Sequence, residues 1–250
     1  ITNAVFAHGL GGNNTIKTLI SNLVVEGNLT VSIVEGDDDV RADTSVRTIF
    51  LRGNFTHTQG RFGSGNSNLI LAFTGDQGDA APHLITQSGG TFYAQIRLDN
   101  PNETVNLASS FTILSDGFGT GSLSILGPSS TPVAGTADNT TKFNALTSTL
   151  TINGPFKQDA GIFNDSATRS GTLDFNNTFT LNGGTFNASS GNTFLGHSVT
   201  ITNLGAGTPT VFNHSSGTVN IDAGTGTNPI ELNFNAGTGI AGAAVSPLWW

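Results

Sequence analysis

The chain has 250 residues, 36% of them hydrophobic, which is enough to build a buried core and excludes a chain disordered for lack of apolar residues. Only 10% are Asp, Glu, Lys or Arg, so uncharged side chains must supply most of the polar surface. A formal charge of −8 with nine Lys and Arg argues against a nucleic-acid partner, and the absence of Cys excludes disulfides and thiolate metal sites.

Short segments of alternating polarity, bounded by Gly, Asn, Asp or Ser, predict β-strands along the whole chain. In chain order these strands are 23–25, 29–34, 46–51, 55–58, 69–73, 92–98, 104–107, 111–114, 122–126, 149–152, 171–175, 178–181, 199–201, 210–212, 218–221 and 230–234. Helical periodicity is convincing nowhere, and residues 14–23 form the only segment for which we expect a brief helical turn. No apolar run is long enough to predict a membrane-spanning helix.

An internal repeat distinguishes between the all-β architectures. The segment 53–62 returns at 154–163 with two glycines and two phenylalanines at the same spacing, and this favours stacked coils over a sandwich or barrel. Apolar side chains then stack on their counterparts one coil away, while glycines turn the corners. We assign a core stack to Phe55, Phe62, Phe156, Phe163, Phe175 and Phe186.

The segment 75–93, which contains Gly90-Thr91-Phe92-Tyr93, is followed by strands at 96–98, 104–107 and 110–113. These segments resemble the repeats of large secreted bacterial adhesins and autotransporter-like surface proteins of the filamentous-haemagglutinin type. The resemblance covers roughly residues 20–235. It implies a single-stranded, right-handed β-solenoid of about ten coils, secreted and displayed at a cell surface. The first residue is Ile1 and not Met, as expected of a chain with a removed signal peptide or of a fragment.

The predicted organisation is a solenoid over 20–235 with short non-solenoid segments at 1–19 and 236–250. The Pro, Ser and Thr cluster at 127–141 cannot be a central strand, so we expect a loop that leaves the solenoid there. This loop separates the two copies of the repeat, so a tandem duplication is an alternative. One continuous solenoid is preferred, because a short break does not provide caps for two additional ends.

An acidic segment offers the only candidate metal ligands. Asp37, Asp38 and Asp39 could supply carboxylate oxygens to Ca²⁺, the one cofactor considered. Their spacing matches neither an EF-hand loop nor the calcium-binding glycine-aspartate nonapeptide. A solvated acidic loop is therefore the preferred interpretation.

Catalytic groups are not indicated. The strand-associated acids Asp99, Glu103, Asp174, Asp222 and Glu231 are scattered singly, so no acid pair can be nominated, and no enzyme activity is predicted. The five histidines show no metal-ligand spacing, and an exposed position in a turn or on a coil face is expected for each. Nine Asn-x-Ser/Thr sequons occur, little more than composition produces by chance.

The ends of the chain carry the functional prediction. The segment 236–250 has no charge and contains both tryptophans. A solenoid exposes unpaired strands at its ends, so we expect Val5, Phe6 and Leu10 to form an assembly interface with Leu248, Trp249 and Trp250 of an identical copy. A cap over the last coil, or a chain that continues, is the alternative.

The predicted function is an extracellular structural protein that assembles head to tail into a filament or surface layer, or a rod segment of an adhesin. Its partners would be identical subunits, with carbohydrate or other surface components as further candidates. A carbohydrate-active enzyme, such as a polysaccharide lyase or hydrolase, or a phage-type fibre is the alternative.

Overall fold

The computed structural model describes residues 1–7, 16–33, 38–64, 68–74, 81–117, 119–126, 140–202, 210–222 and 232–235, with the backbone alone for 222 and 232–235. All regular secondary structure in these residues is β-strand, which confirms the all-β class. No helix in this part of the chain has the length and hydropathy needed to cross a membrane.

The strands form three parallel sheets of nine strands each. Sheet 1 contains β1 (Ala4–Ala7), β4 (Leu29–Ser32), β7 (Phe55–Gln59), β10 (His83–Gln87), β13 (Thr104–Leu107), β18 (Lys142–Asn144), β21 (Ile162–Phe163), β24 (Thr185–Asn187) and β27 (Val211–Asn213). Sheet 2 contains β2 (Ile16–Leu19), β5 (Asp39–Ala42), β8 (Arg61–Phe62), β11 (Thr91–Phe92), β14 (Phe111–Ile113), β19 (Leu150–Ile152), β22 (Leu173–Phe175), β25 (Asn192–Gly196) and β28 (Thr218–Asp222). Sheet 3 contains β3 (Leu23–Val25), β6 (Arg47–Leu51), β9 (Leu69–Phe73), β12 (Gln95–Leu98), β17 (Ser122–Ile125), β20 (Phe156–Gln158), β23 (Phe179–Leu181), β26 (Val199–Thr202) and β29 (Leu232–Asn235).

In the described residues the chain passes through sheets 1, 2 and 3 in that order nine times, and we call each passage a layer. Each strand pairs only with strands of the layers before and after it in the same sheet, an arrangement consistent with a β-solenoid. A small antiparallel hairpin of β15 (Ser115–Asp116) and β16 (Gly119–Thr120) interrupts the fifth layer, and the Tyr93 hydroxyl donates to Asp116 beside it (3.2 Å).

The first layer begins earlier in the chain than the sequence indicates. Strands β1 and β2 lie within the predicted end segment 1–19 and pair with β4 and β5 of the second layer. The helical turn expected over 14–23 is wrong for its described part, because Ile16–Leu19 is a strand. Pairing with β5 stabilises the extended conformation over the weak local helical preference.

Alternate side chains of each strand point into the space between the sheets and form one continuous core. In sheet 1, Phe143, Phe163, Phe186 and Phe212 stack in four successive layers, with centroid separations of 5.8, 4.7 and 5.2 Å and interplanar angles of 11° to 15°. All six phenylalanines assigned to the core stack from the sequence are buried. They lie in two clusters: Phe55 and Phe62 pack on Phe92, and the other four pack on one another.

Both copies of the sequence repeat form a strand-turn-strand unit at a corner, but the two corners join different pairs of sheets. Phe55 and Phe62 flank a corner from sheet 1 to sheet 2, whereas Phe156 and Phe163 flank one from sheet 3 to sheet 1. Both corners use a glycine with positive φ, Gly60 (80°) and Gly161 (72°), a conformation that costs other residues free energy.

A row of asparagines crosses the layers of sheet 1. In register, the row consists of Asn3, Asn28, Asn54, Leu84, Asn106, Asn144, Asn164, Asn187 and Asn213. In the first layers, the side-chain oxygen of each Asn accepts the backbone N–H of its counterpart one layer on, at 2.8 to 2.9 Å. Further along, Asn144 donates to Asn106 and Asn213 donates to Asn187. These contacts help to fix the register of the layers.

Candidate assembly surface at the first layer

The first layer is an open end in the described part of the chain. Strands β1, β2 and β3 are each the terminal strand of their sheet, although the backbone of Ile1 occupies part of the β3 edge: it donates to Val24 (3.1 Å) and accepts from Glu26 (2.8 Å). A terminal strand presents backbone N–H and C=O groups that can pair with another strand. All neighbouring strands in the three sheets are parallel, so only a strand of the same direction would continue the pattern.

Exposed apolar side chains are concentrated at this end. Of the eight large apolar side chains that the structure describes as exposed, five belong to the first layer: Ile1, Val5, Ile16, Ile20 and Val24. Ile20 is 75% exposed and Val5 is 64% exposed. Register places Val5 beside Thr30 and Val24 beside Phe50, on the outer sides of sheets 1 and 3. An apolar rim therefore surrounds the open edge.

The interior positions of this layer are only partly covered. Phe6, Leu19 and Leu23 come from the three different sheets and pack on the core while remaining partly exposed. With apolar groups at both the rim and the interior, this end of the stack holds most of the exposed large apolar side chains among the described residues. The first-layer surface consists of these rim and interior residues: Ile1, Val5, Phe6, Ile16, Leu19, Ile20, Leu23 and Val24.

The structure places two of the six residues predicted to form the assembly interface. Val5 lies on the outer side of β1, and Phe6 lies on its inner side. The other four, Leu10, Leu248, Trp249 and Trp250, lie outside the described residues. The sequence did not single out Ile16, Ile20 or Val24, whose exposure depends on their place in a terminal layer.

Of the three candidate calcium ligands, Asp37 lies outside the described residues, and Asp38 and Asp39 are buried. Asp39 accepts a hydrogen bond from the Ser64 hydroxyl, and burial raises the pKa of this carboxyl despite that bond. No group of three His, Asp or Glu side chains in the described ranges is arranged to hold a metal ion. The preferred interpretation of this segment, a solvated acidic loop, is wrong for Asp38 and Asp39, because both side chains are buried.

Two histidines that were expected to be exposed are buried. Nε2 of His57 donates to the carbonyl oxygen of Gly60 (3.2 Å), and burial lowers the pKa of His57 to about 4. His83 lies 2.6 Å from Glu103, measured from Nε2 to Oε1, and its Nδ1 is 2.9 Å from the carbonyl oxygen of Gly53. The pairing of His83 with Glu103 allows both of these side chains to be buried without leaving a lone charge in the core.

The carboxylates on the sides of the stack have separate polar partners. Asp99 pairs with Arg97 (2.8 Å), Asp165 pairs with Lys142 (2.8 Å), and Asp174 accepts from Asn176 (3.1 Å). Asp43 pairs with Arg47, whose hydrogen bond lowers the pKa of Asp43. The side chains of Asp222 and Glu231 lie outside the described residues. Ion pairs and amide hydrogen bonds of this kind are typical of a structural surface.

The asparagine row explains why several sequons occur. Asn28, Asn54, Asn164, Asn187 and Asn213 are all members of the row, and a Ser or Thr follows two residues later. Asn187 is buried and donates to the carbonyl oxygen of Phe163 (3.3 Å). Asn164 is buried as well, so at these two sequon positions the amide packs between layers, whereas Asn28 and Asn213 are exposed.

In comparisons with known proteins, no family model matches the chain, and no curated protein or solved structure matches it. The fold and the first-layer surface thus define the molecule by architecture: an all-β stack of parallel strands with an apolar, open first layer.

Proposed function

We propose that this chain is a structural rod that associates end to end with identical copies. The concentration of exposed apolar side chains in the first layer carries the proposal, because it marks the place where a partner would bury apolar area. A second copy fits chemically, since its last layer offers parallel strands of the same three sheets.

The direction of the strands favours head-to-tail contact. The first layer has strands of four, four and three residues, and the last layer has strands of three, five and four. A copy placed with its last layer against the first layer would extend sheets 1 and 2 in parallel, and sheet 3 as well once Ile1 gives up its two backbone hydrogen bonds to the β3 edge. A head-to-head pair would bring antiparallel strands together and reverse the order of the sheets. The head-to-tail contact is open, so it can repeat into a filament.

The finer description of the fold belongs to this proposal. We propose right-handed winding, because a connection between parallel strands of one sheet is right-handed in about 98% of cases. Secretion and display at a cell surface, as a filament, layer or adhesin rod, rest on the resemblance of the repeats. A structural role without catalysis is supported by the flank carboxylates, each of which has its own partner.

The test compares the purified chain with charged variants of the first-layer surface. Val5→Lys and Ile20→Lys place an ammonium on the rim, and Val46→Lys does the same at a valine that is 59% exposed in the second layer. Sedimentation velocity and electron microscopy should show concentration-dependent rods for the parent chain and for Val46→Lys, and single particles for the other two. A parent chain that stays monomeric at every concentration would refute the proposal, as would rods formed equally well by all three variants.

A further inference from the structure

One charged residue sits at the open end of an otherwise apolar column. Along sheet 2, the register joins Lys17 to Val40, Phe62, Phe92, Ile113, Ile152, Phe175, Leu195 and Ile221, one residue in each layer. The seven residues of the middle layers are all buried. Lys17 is therefore the charged member of an inward-facing column, and it is partly exposed because its layer is terminal.

The position of Leu19 confirms that Lys17 lies on the inner side of β2. Leu19 lies two residues further along β2 and packs against the core. Side chains two residues apart in a strand share a face, so Lys17 lies on the same face of β2 as Leu19. Ile16 and Thr18 lie on the other side and are exposed.

We propose that the positive charge of Lys17 weakens the end-to-end association proposed above, on which this inference rests. We call this effect the charge brake. In a head-to-tail contact that continues the register, Ile221 of the second copy would lie against Lys17. The ammonium would then have to leave water beside apolar side chains, or bend back to the rim on its four-carbon stem. Inward-pointing charges on terminal strands are a known protection against unwanted pairing.

The brake and the apolar rim act in opposite directions on the same contact. The rim favours association through buried area, while Lys17 weakens it and penalises the one register that aligns the sheet 2 columns. Association then requires a high local concentration of chains. Premature polymerisation of a dilute chain is suppressed by a single ammonium group.

The experiment separates the charge of Lys17 from its size. Lys17→Met keeps an unbranched chain without the charge, and Lys17→Arg keeps the charge. Lys142→Met is the matched control, because Lys142 is a partly exposed lysine on the flank of the sixth layer. Light scattering and sedimentation give the concentration at which each protein begins to associate, and urea unfolding verifies that each variant folds.

Loss of the charge should lower the onset concentration by about tenfold to a hundredfold, from the usual cost of burying an unpaired polar group. Lys17→Arg and Lys142→Met should match the parent chain. Equal onset for the parent chain and Lys17→Met would overturn the brake and leave end-to-end association standing. An equal decrease for Lys17→Arg would also overturn it, since the charge is retained. If the parent chain and Lys17→Met both remain monomeric, the brake and the proposed function fail together.

Discussion

His57 and Gln158 make the same contact in two different corners of the molecule. Nε2 of each side chain donates to the carbonyl oxygen of the glycine three residues later, at 3.2 Å for His57 and 3.1 Å for Gln158. Each of these carbonyl oxygens also accepts a threonine N–H from the next layer, at 2.8 and 2.9 Å. An imidazole and an amide thus donate to the equivalent glycine carbonyl oxygen at the two turns.

This equivalence predicts the effect of His57→Gln on acid stability. The pKa of His57 is lowered from 6.5 to about 4 by burial, so protons bind the unfolded chain more tightly. The contribution of neutral, buried His57 to the free energy of unfolding is complete above pH 6.5 and is lost as the pH falls toward 4. The loss reaches about 3 kcal/mol of unfolding free energy by pH 4, at about 1.4 kcal/mol per pKa unit.

Urea unfolding at pH 7.5, 5.5 and 4.0 measures this effect as a difference between proteins, because carboxyl groups titrate in both. We expect His57→Gln to match the parent chain within about 1 kcal/mol at pH 7.5 and to exceed its stability at pH 4.0. Replacement of the exposed His214 by Gln is the control and should leave the pH profile unchanged. A parallel decline of the parent chain and His57→Gln would contradict the burial of a neutral imidazole.

The aromatic stack predicts a large difference between two phenylalanines of the eighth layer. Phe186 is buried between Phe163 and Phe212, whereas Phe194 lies on the outer side of sheet 2 beside Asp174. Phe186→Ala should lower the unfolding free energy by about 3–5 kcal/mol, and Phe194→Ala by less than about 1 kcal/mol. Chemical denaturation measures both. Similar losses in the two variants would mean that the assigned register of this layer is wrong.

The corner glycines predict a strong dependence on backbone conformation. At Gly161, φ is +72° and an added Cβ would lie 2.6 Å from the carbonyl oxygen of Thr141, so Gly161→Ala should cost about 1–3 kcal/mol. Gly117, in the hairpin of the fifth layer, has nothing within 4 Å of an added Cβ. Gly117→Ala should therefore stay within about 0.5 kcal/mol of the parent chain. Thermal unfolding of the two variants under one set of conditions decides whether the corner needs glycine.

Leu84 interrupts the asparagine row, and this predicts a stabilising substitution. Its backbone N–H already donates to the side-chain oxygen of Asn54, but its side chain has no amide to continue the row to Asn106. Leu84→Asn should raise the unfolding free energy by about 0.5–1.5 kcal/mol, the usual net value of a hydrogen bond. Leu84→Ala removes the leucine without adding an amide and provides the comparison. If the two variants are equally stable, the row contributes nothing at this layer.

The sequence predicts the strands well where the apolar pattern is strong. Leu69–Phe73, an apolar run in which all five residues are buried, and Thr104–Leu107, which alternates, both have the predicted bounds. Strands of two residues, such as β8 and β21, are too short to show alternation, and they exist because neighbouring layers supply their partners. Local propensity does not contain that information.

The sequence period is obscured because the layers differ in length. Asn28 follows Asn3 by 25 residues, and Asn144 follows Asn106 by 38. A search for one fixed period therefore finds the corner motif, which recurs in different corners, before it finds the layers. The asparagines at 3, 28 and 54 were the available signal, since their spacings of 25 and 26 residues give the length of the first layers.

The first-layer surface was only partly predictable for a related reason. Val5 and Phe6 stand out as apolar residues near the start of the chain, but Ile20 and Val24 look like ordinary strand residues. Their exposure follows from the absence of a preceding layer among the described residues, which is a property of the topology. The burial of His83 with Glu103 likewise depends on two residues that are 20 apart in the chain and are brought together because β10 and β13 are adjacent in sheet 1.

The pairing of each strand with only the layers before and after it also bears on how the chain acquires its structure during synthesis. The second layer can pair with the first as soon as both have been synthesised, and each later layer can pair with the one before it. Contacts between successive layers span only about 20 to 40 residues, so the loop that must close at each step stays short as the chain lengthens. A ribosome releases the layers in the same order, and each can therefore add to the finished stack before the next has emerged.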